Sequence, residues 1–259
     1  MKTWFLSFAD RRFKSIDLIR KEAVNLGFFD NIITGDQQLF EKWYRLKYKE
    51  RFKDRGYGYW QWKSYLIRRI MDRMDEGDVL LYADAGCKLN TDGKERLVEY
   101  FDIVKQSSSG ILLFNQHYPE AEYTKGDVFK YFGVSNDVAY TQHGQVAGGI
   151  VMIRKGYVAQ QFINELYYIC HNHYELITDS PSIALNFPEF KEHRHDQSII
   201  SLLAVKYDAT ELPIEEVYTD GNWETEMKSK PIWACRRRSI KFFHRCRLAF
   251  ENYVLRKKE

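Results

Sequence analysis

The chain has 259 residues, of which 44% are hydrophobic and 29% are charged, and its net charge is +3. This composition is ordinary for a globular domain with a full core, and so mild a charge without a nucleic-acid-binding motif argues against a nucleic-acid partner. The sequence has neither a secretory signal nor an apolar run near the about 18 residues of a membrane span, and its four cysteines lack CxxC spacing, which predicts free thiols in a cytoplasmic protein.

Strand-like and helix-like segments alternate along the chain. Strands are predicted where apolar runs are bounded by turn residues, at residues 3–9, 31–34, 79–83, 110–115 and 148–156. Helices are predicted where apolar residues lie three or four apart, at 16–26, 37–55, 66–74, 94–105, 156–171 and from 196 onward, with a further helix capped by Thr124 and Asp127. Without linkers or repeats, residues 1–230 predict one domain with an open α/β sheet.

The last residues, 231–259, are predicted to form a basic helical extension. Phe243, Cys246, Phe250 and Tyr253 are spaced 3, 4, 3 and are surrounded by Arg and Lys. A helix with an aromatic face and a basic face is typical of segments that lie on anionic membranes. Docking on the domain with a solvated basic side explains the pattern equally well.

Asp84 directly follows the buried run VLLYA, where a carboxylate is poorly explained by packing. One interpretation is that it caps the next turn. The other is that it faces a ligand at the carboxyl end of the strand, where open sheets bind their ligands, and holds a divalent cation or a ribose hydroxyl.

Four motifs occur in this order: GYGYWQWK, GDVLLYADAGCKLN, QVAGGIVMIRKG and HRHDQSIISLL. Together they resemble nucleotide-sugar glycosyltransferases of bacterial capsule and lipopolysaccharide O-antigen synthesis, which include β-galactofuranosyltransferases. The resemblance covers roughly residues 3 to 207. It implies a GT-A-like open mixed sheet, mainly parallel and flanked by helices. It also implies transfer of a hexose, galactose or galactofuranose, from a UDP-linked donor to a saccharide or lipid-linked oligosaccharide acceptor at the cytoplasmic face of the inner membrane.

The resemblance also implies a donor site. Asp84 occupies the first position of the family's Asp-x-Asp metal motif, but Gly86 replaces the second Asp. Mn²⁺ or Mg²⁺ would therefore be held by Asp84 and the diphosphate alone, or be absent. The remaining donor contacts are Ser7 and Asp10 in a loop for the base and ribose, and Arg55 and Lys63 as cations for the diphosphate. Gln145, Gly148 and Gly149 are expected beside the donor sugar.

The motif EHRHDQS supplies candidates for accepting the proton of the acceptor hydroxyl. His195 and Asp196 are predicted to be catalytic, although Asp196 could instead be the N-cap of the helix that follows. His193 and His195 alternate around Arg194, so only one of them is expected to face the site. Trp60, Lys125 and His193 are predicted acceptor contacts. Because the second Asp is missing, a nucleotide-sugar-binding protein without turnover remains the alternative.

Overall fold

A computed structural model describes residues 1–237. The strands in this range are β1 (Thr3–Phe8), β2 (Asn31–Gly35), β3 (Val79–Ala83), β4 (Lys88–Leu89), β5 (Ile111–Pro119), β6 (Gly144–Val146), β7 (Ile150–Arg154), β8 (Thr210–Pro213) and β9 (Ile232–Trp233). Seven of them form one sheet in the order β2-β1-β3-β7-β5-β6, with β8 also paired to β5, while β4 and β9 form a small second sheet.

The main sheet is mixed. β1 is parallel to β2 and β3, and β8 is parallel to β5, whereas β7 is antiparallel to both β3 and β5 and β6 is antiparallel to β5. Five of the seven strands therefore point the same way, with β6 and β7 reversed. The predicted open, mixed, mainly parallel sheet is confirmed.

Helices flank both faces of the sheet. They are α1 (Ser15–Leu26), α2 (Lys42–Lys47), α3 (Arg55–Tyr59), α4 (Trp62–Met71), α5 (Lys94–Gln106), α6 (Glu120–Tyr123), α7 (Gly126–Phe132), α8 (Val138–Thr141), α9 (Tyr157–Asn172), α10 (Asp196–Lys206) and α11 (Trp223–Glu226). Apolar residues of α4, α9 and α10 form one core, and those of α1 and α5 form the other.

Strand β3 lies between the two cores. Leu80 and Tyr82 belong to the core of α4, α9 and α10, while Leu81 and Ala83 belong to that of α1 and α5. A fully buried leucine such as Leu80 or Leu81 contributes about 1.5–3 kcal/mol. Because side chains alternate along a strand, Asp84 follows Tyr82 onto the face covered by α4, α9 and α10.

Residues 37–55 do not form the continuous helix that their composition predicts. Short 3-10 turns at Gln37–Leu39 and Arg51–Lys53 flank α2. The rings of Phe40 and Phe52 stack with centroids 5.6 Å apart. Twelve residues of straight helix would separate them by about 18 Å, so packing of the aromatic rings requires the chain to fold back.

The predicted cap of the helix after residue 124 is wrong. Helix α7 begins at Gly126 and has no side-chain cap. The Thr124 hydroxyl donates instead to the Glu120 carboxylate, and the Asp127 carboxylate accepts the backbone N–H groups of Ile183 and Ala184. Thr124 thus bonds back to the preceding helix, and Asp127 makes a tertiary contact with a distant segment.

The domain continues past the predicted boundary at residue 230, since β9 pairs with β4 and the Arg237 guanidinium binds the Glu22 carboxylate with N–O distances of 2.6 and 2.7 Å. The predicted basic helix with Phe243, Cys246, Phe250 and Tyr253 lies outside the described residues. Within residues 1–237, no helix combines the length and apolar character needed to cross a bilayer. Cys87, Cys170 and Cys235 are free thiols.

Candidate functional site

A buried ion pair joins the first and fourth motifs to the glycine motif. The Lys63 ammonium, on α4, lies 2.6 Å from the Asp196 carboxylate at the start of α10 and donates to the Gly148 carbonyl at 2.7 Å. The Lys63 and Asp196 side chains are only 3% and 8% exposed. His195, not Asp196, holds the N-cap position of α10, so the cap interpretation of Asp196 is wrong.

Electrostatics keeps Lys63 charged. Burial alone lowers its pKa, but the carboxylates of Asp196 and Asp84 outweigh burial and raise the pKa above its ordinary value. Burial raises the pKa of Asp196 to about 6, with Asp84 adding to the rise and Lys63 opposing it. The buried Lys63 ammonium therefore interacts electrostatically with the carboxyl groups of both Asp196 and Asp84.

Asp84 sits at the carboxyl end of β3, half-buried. Its Oδ1 accepts the Tyr82 hydroxyl at 2.5 Å, and no hydrogen bond from residues 1–237 reaches Oδ2. The turn after β3 is closed by the backbone carbonyl of Asp84, which accepts the Cys87 N–H at 2.9 Å, so the carboxylate is not the turn cap.

The glycine pair lies against this carboxylate. Gly149 accepts the Asp84 N–H at 2.8 Å, and a Cβ placed on Gly149 would lie 2.8 Å from Asp84 Oδ2. A Cβ on Gly148 would lie 2.9 Å from the Cβ of Gln197. Only glycine therefore fits at either position without displacing its neighbours.

Two glutamines hold the Gly148 peptide. Its N–H donates to Gln197 Oε1 at 3.1 Å, and Gln197 Nε2 donates to Gln145 Oε1 at 2.6 Å. Gln145, which was predicted to contact the donor sugar beside the glycine pair, therefore reaches Gly148 only through Gln197. Gln197 was not predicted as a site residue; its position directly after Asp196 was the only signal.

The GYGYW motif makes α3 a left-handed turn rather than a right-handed α-helix. Gly56, Tyr57, Gly58, Tyr59 and Trp60 all have positive φ, from 46° to 93°. Left-handed backbone costs roughly 1–2 kcal/mol at each non-glycine residue, and such strain clusters at functional sites. The turn packs the Trp60 ring on Gly56 and stacks it on the His195 imidazole with ring centroids 5.3 Å apart.

His195 is buried and strained, with φ 58° and ψ −127°. Its Nδ1 hydrogen-bonds the Ile177 carbonyl at 2.9 Å, which leaves Nε2 as the basic nitrogen. Nε2 has no hydrogen bond among residues 1–237, and Asp179 Oδ1 lies 3.6 Å away. Burial lowers the pKa of His195, while the Ile177 carbonyl and Asp179 oppose that change.

Asp179 also forms an ion pair with Arg55, whose guanidinium lies 3.6 Å from the Asp179 carboxylate. Arg55, predicted to contact the diphosphate, thus stands beside His195. Asp179 itself was missed, since it lies in the long segment between α9 and α10, where sequence patterns give no positional signal.

Two predicted acceptor contacts are engaged within the protein. The Lys125 ammonium donates to the carbonyls of Glu175 and Thr178 at 2.6 and 3.2 Å, and the His193 Nε2 donates to the Leu176 carbonyl at 2.8 Å. These bonds hold the segment that carries Asp179. A ligand contact by either side chain stays a prediction.

Ser7 and Asp10 lie at the carboxyl end of β1, beside that of β3. Ser7 is inside the strand rather than in a loop, and its buried hydroxyl has no partner among the described residues. Asp10 binds Arg12 at 2.6 Å. Gly86 faces the backbone of Arg236 and accepts the N–H of Arg237 at 2.8 Å, so the C-terminal segment covers it.

Among the described residues, one side chain at the site is a suitable ligand for the divalent ion that the resemblance implies. Within residues 1–237, no three His, Cys, Asp or Glu side chains gather into a metal-binding group. Asp84 offers an oxygen without a hydrogen bond, whereas Asp196 is bonded to Lys63. Mg²⁺ and Mn²⁺ are often held by one or two carboxylates and substrate phosphates, so these residues fit an ion that arrives with a diphosphate.

No protein-family model matches the sequence, and no curated protein does. Solved structures that align with the chain include a glycosyltransferase involved in glycosylation of the major capsid of PBCV-1, with a TM-score of 0.49, 9% identity and coverage of 90% of this chain and 93% of that one. Mouse xyloside xylosyltransferase 1 aligns with a TM-score of 0.47 and 11% identity over 90% of this chain and 84% of its own. Galactosyltransferase LgtC, in complex with donor and acceptor sugar analogues, aligns with a TM-score of 0.43 and 8% identity over 90% and 86%. TM-scores and identities this low do not assign an activity to the chain.

Proposed function

We propose that the chain is a GT-A-like glycosyltransferase that transfers a hexose, galactose or galactofuranose, from a UDP-linked donor to a saccharide acceptor in surface polysaccharide synthesis. One observation carries the proposal. Residues of four motifs far apart in sequence meet at one edge of the sheet, where Lys63 binds Asp196 and Gly148, and Gly149 lies against Asp84. Ligands of open α/β sheets bind at such an edge.

The proposed donor site stabilises the leaving group. Cleavage of the sugar–phosphate bond develops negative charge on the departing nucleoside diphosphate. Asp84 would hold a divalent ion, which when bound supplies Lewis-acid stabilisation of that charge. Lys63 adds a fixed positive charge behind the carboxylates. One such preorganised group is worth about 3–4 kcal/mol of transition-state stabilisation.

His195 is the proposed base for the acceptor hydroxyl. Its depressed pKa keeps the imidazole neutral near pH 7, and Nε2 is free to accept a proton. Asp179, 3.6 Å away, would stabilise the imidazolium that results. A positioned base contributes about 10²- to 10⁴-fold. Asp196, whose Oδ2 is bonded to Lys63, is assigned the role of holding that cation in place.

Release of UDP by the purified protein tests the proposal. A panel of nucleotide sugars, supplied with saccharide acceptors, should contain a donor from which UDP is released. Asp84→Asn should lower turnover about 10²- to 10³-fold while leaving folding intact, because it removes the charge at the carboxyl end of β3. Asp75→Asn, at a carboxylate that is 78% exposed at the opposite end of β3, is the matched control and should be neutral. Full activity of the Asp84 variant refutes the assigned role.

The alternative, a nucleotide-sugar-binding protein without turnover, is favoured by Gly86, which supplies no second carboxylate. UDP should raise the melting temperature under either hypothesis. Only the enzyme should release UDP when donor and acceptor are both present. Stabilisation by UDP without release, across the whole donor panel, would favour the binding protein.

Peripheral contact with the inner membrane through residues 238–259 is the remaining part of the proposal. Truncation after Arg237 keeps the Arg237–Glu22 contact and removes only the basic segment. The truncated protein should retain UDP release and lose co-sedimentation with anionic vesicles. Undiminished co-sedimentation would contradict the membrane role.

A further inference from the structure

Glu120 is a buried carboxyl group that the proposed chemistry does not use. It lies at the start of α6, is inaccessible to solvent, and forms no ion pair with the described residues. Burial raises its pKa to about 7. Its Oε1 lacks a hydrogen bond within residues 1–237, while Oε2 accepts from Thr124 and Gln145. A buried, partly satisfied carboxyl group costs stability, so packing alone does not explain it.

The acceptor oxygen of Glu120 begins a directional chain of hydrogen bonds. Gln145 Nε2 donates to Glu120 Oε2 at 3.4 Å, which leaves Gln145 Oε1 to accept Gln197 Nε2 at 2.6 Å. Gln197 Oε1 in turn accepts the Gly148 N–H at 3.1 Å. If the Gln145 amide were flipped, its NH₂ group would face the NH₂ group of Gln197, and the chain would break.

The Tyr123 carbonyl and the Ser198 hydroxyl lie 3.5 and 3.3 Å from Gln145 Nε2 and help to fix the same orientation. Glu120 is the ionisable member of this acceptor set, and its ionised form adds the strongest preference for the donor end of the amide. The other end of the chain is the Gly148 N–H, and the carbonyl of the same residue, in the next peptide unit, accepts from Lys63.

We propose that Glu120 is a positioning residue for the candidate site: through Gln145 and Gln197, its carboxyl oxygen fixes the Ala147–Gly148 peptide and so the adjoining Gly148 carbonyl that holds Lys63 beside Asp196. Loss of this orientation frees the glycine pair to rotate and moves both Lys63 and the backbone that lies against Asp84. The activity readout rests on the proposed glycosyltransferase function, whereas the structural readout does not.

The test compares Glu120→Ala and Glu120→Gln in the full chain. Amide hydrogen exchange at Gly148 should be at least about tenfold faster in Glu120→Ala, because the orienting acceptor is gone, and should return towards wild type in Glu120→Gln, which keeps an acceptor oxygen. Thr124→Val is the matched control. It removes the other donor to Glu120 Oε2 without touching the path to Gly148, and its Gly148 exchange should stay at the wild-type rate.

Activity supplies the second readout. UDP release by Glu120→Ala should show a kcat reduced about tenfold with an unchanged acceptor KM, and Glu120→Gln should recover it. If Glu120→Ala does not fold, Gln145→Met interrupts the next link and should give the same faster exchange at Gly148. Where both variants fold, their combination should be no worse than either alone, since they break one chain.

Unchanged Gly148 exchange in folded Glu120→Ala or Gln145→Met would overturn the proposal. So would additive effects of the two substitutions on exchange. An absence of UDP release by the wild-type protein, in contrast, would refute the proposed function and leave the exchange experiment decisive for Glu120.

Discussion

Replacement of Lys63 by methionine tests whether the buried cation is what allows Asp196 to ionise in the folded protein. Methionine keeps the length and apolar stem of lysine but leaves the Asp196 carboxyl without its partner at 2.6 Å. Removing one member of a buried pair typically costs about 3–5 kcal/mol. Asp196 can limit that cost by remaining protonated, so the loss of stability should depend on pH.

The size of the pH dependence follows from the pKa of Asp196. Its ordinary value of 3.8 is raised to about 6 in the fold. A raised carboxyl pKa makes stability highest at low pH and lost as pH rises. Between pH 5 and 7 the contribution of Asp196 to the free energy of unfolding of the wild type falls by about 1.4 kcal/mol. Asp196 ionises near the middle of that range, and each pH unit below its pKa is worth about 1.4 kcal/mol. In Lys63→Met, Asp196 stays protonated throughout and about 2.7 kcal/mol is lost over the same two units.

Urea unfolding followed by tryptophan fluorescence at pH 5 and pH 7 measures the effect. The destabilisation of Lys63→Met relative to wild type should grow by about 1.3 kcal/mol between these pH values. The double variant Lys63→Met/Asp196→Leu should recover most of the lost stability at pH 7, because both charges are gone. Equal destabilisation at the two pH values would show that the ionisation of Asp196 does not depend on Lys63, which would refute this explanation.

Three further predictions concern Gly149, Asp179 and Glu216. Gly149→Ala places a Cβ 2.8 Å from Asp84 Oδ2 and should reduce both the rate of UDP release and the affinity for UDP at least about tenfold. Gly156→Ala is the control: its Cβ would have its nearest atom at 4.0 Å, and the variant should be neutral. Equal behaviour of the two variants contradicts the assigned site. Asp179→Asn removes a charge that raises the pKa of His195, so the acidic limb of the pH–rate profile should move to lower pH, and an unmoved limb would argue against His195 as the base. Burial raises the pKa of Glu216, but hydrogen bonds from Arg96, Lys230 and Tyr100 outweigh it and bring the pKa to about 2. The stability lost in Glu216→Gln should therefore be constant from pH 5 to 7 and shrink as pH falls from 4.5 towards 2, and a difference that persists undiminished at pH 2 would disprove this account.

Much of the fold could be predicted because its signals are local. The strands at 3–8, 79–83 and 150–154 are apolar on both faces, and the apolar spacing from Ile16 to Leu26 ends at Gly27, which adopts φ 54°. Asp84 stood out for the same reason, as a carboxylate directly after a fully buried run. Patterns of this kind need no knowledge of distant contacts.

Residues whose role depends on a distant partner could not be predicted. Asp179 acquires significance only because His195 and Arg55 reach it from other segments. Glu120 belongs to a four-residue helix without periodicity. The left-handed turn has glycines at 56 and 58, but nothing in the sequence shows that Tyr57, Tyr59 and Trp60 share its conformation.

The direction of β7 decides whether the site exists, and periodicity does not reveal it. Ile150–Arg154 is buried on both faces and reads the same as a parallel or an antiparallel strand. Because β7 runs antiparallel to β3, Ile150 pairs with Ala83 and the preceding glycines lie beside Asp84. A parallel β7 would place those glycines at the opposite edge, about 17 Å away at 3.4 Å per residue, and far from the Lys63 that now binds Gly148. The grouping of Asp84 with Gly148 and Gly149 therefore came from the order of the motifs, and the strand pairing supplies its physical cause.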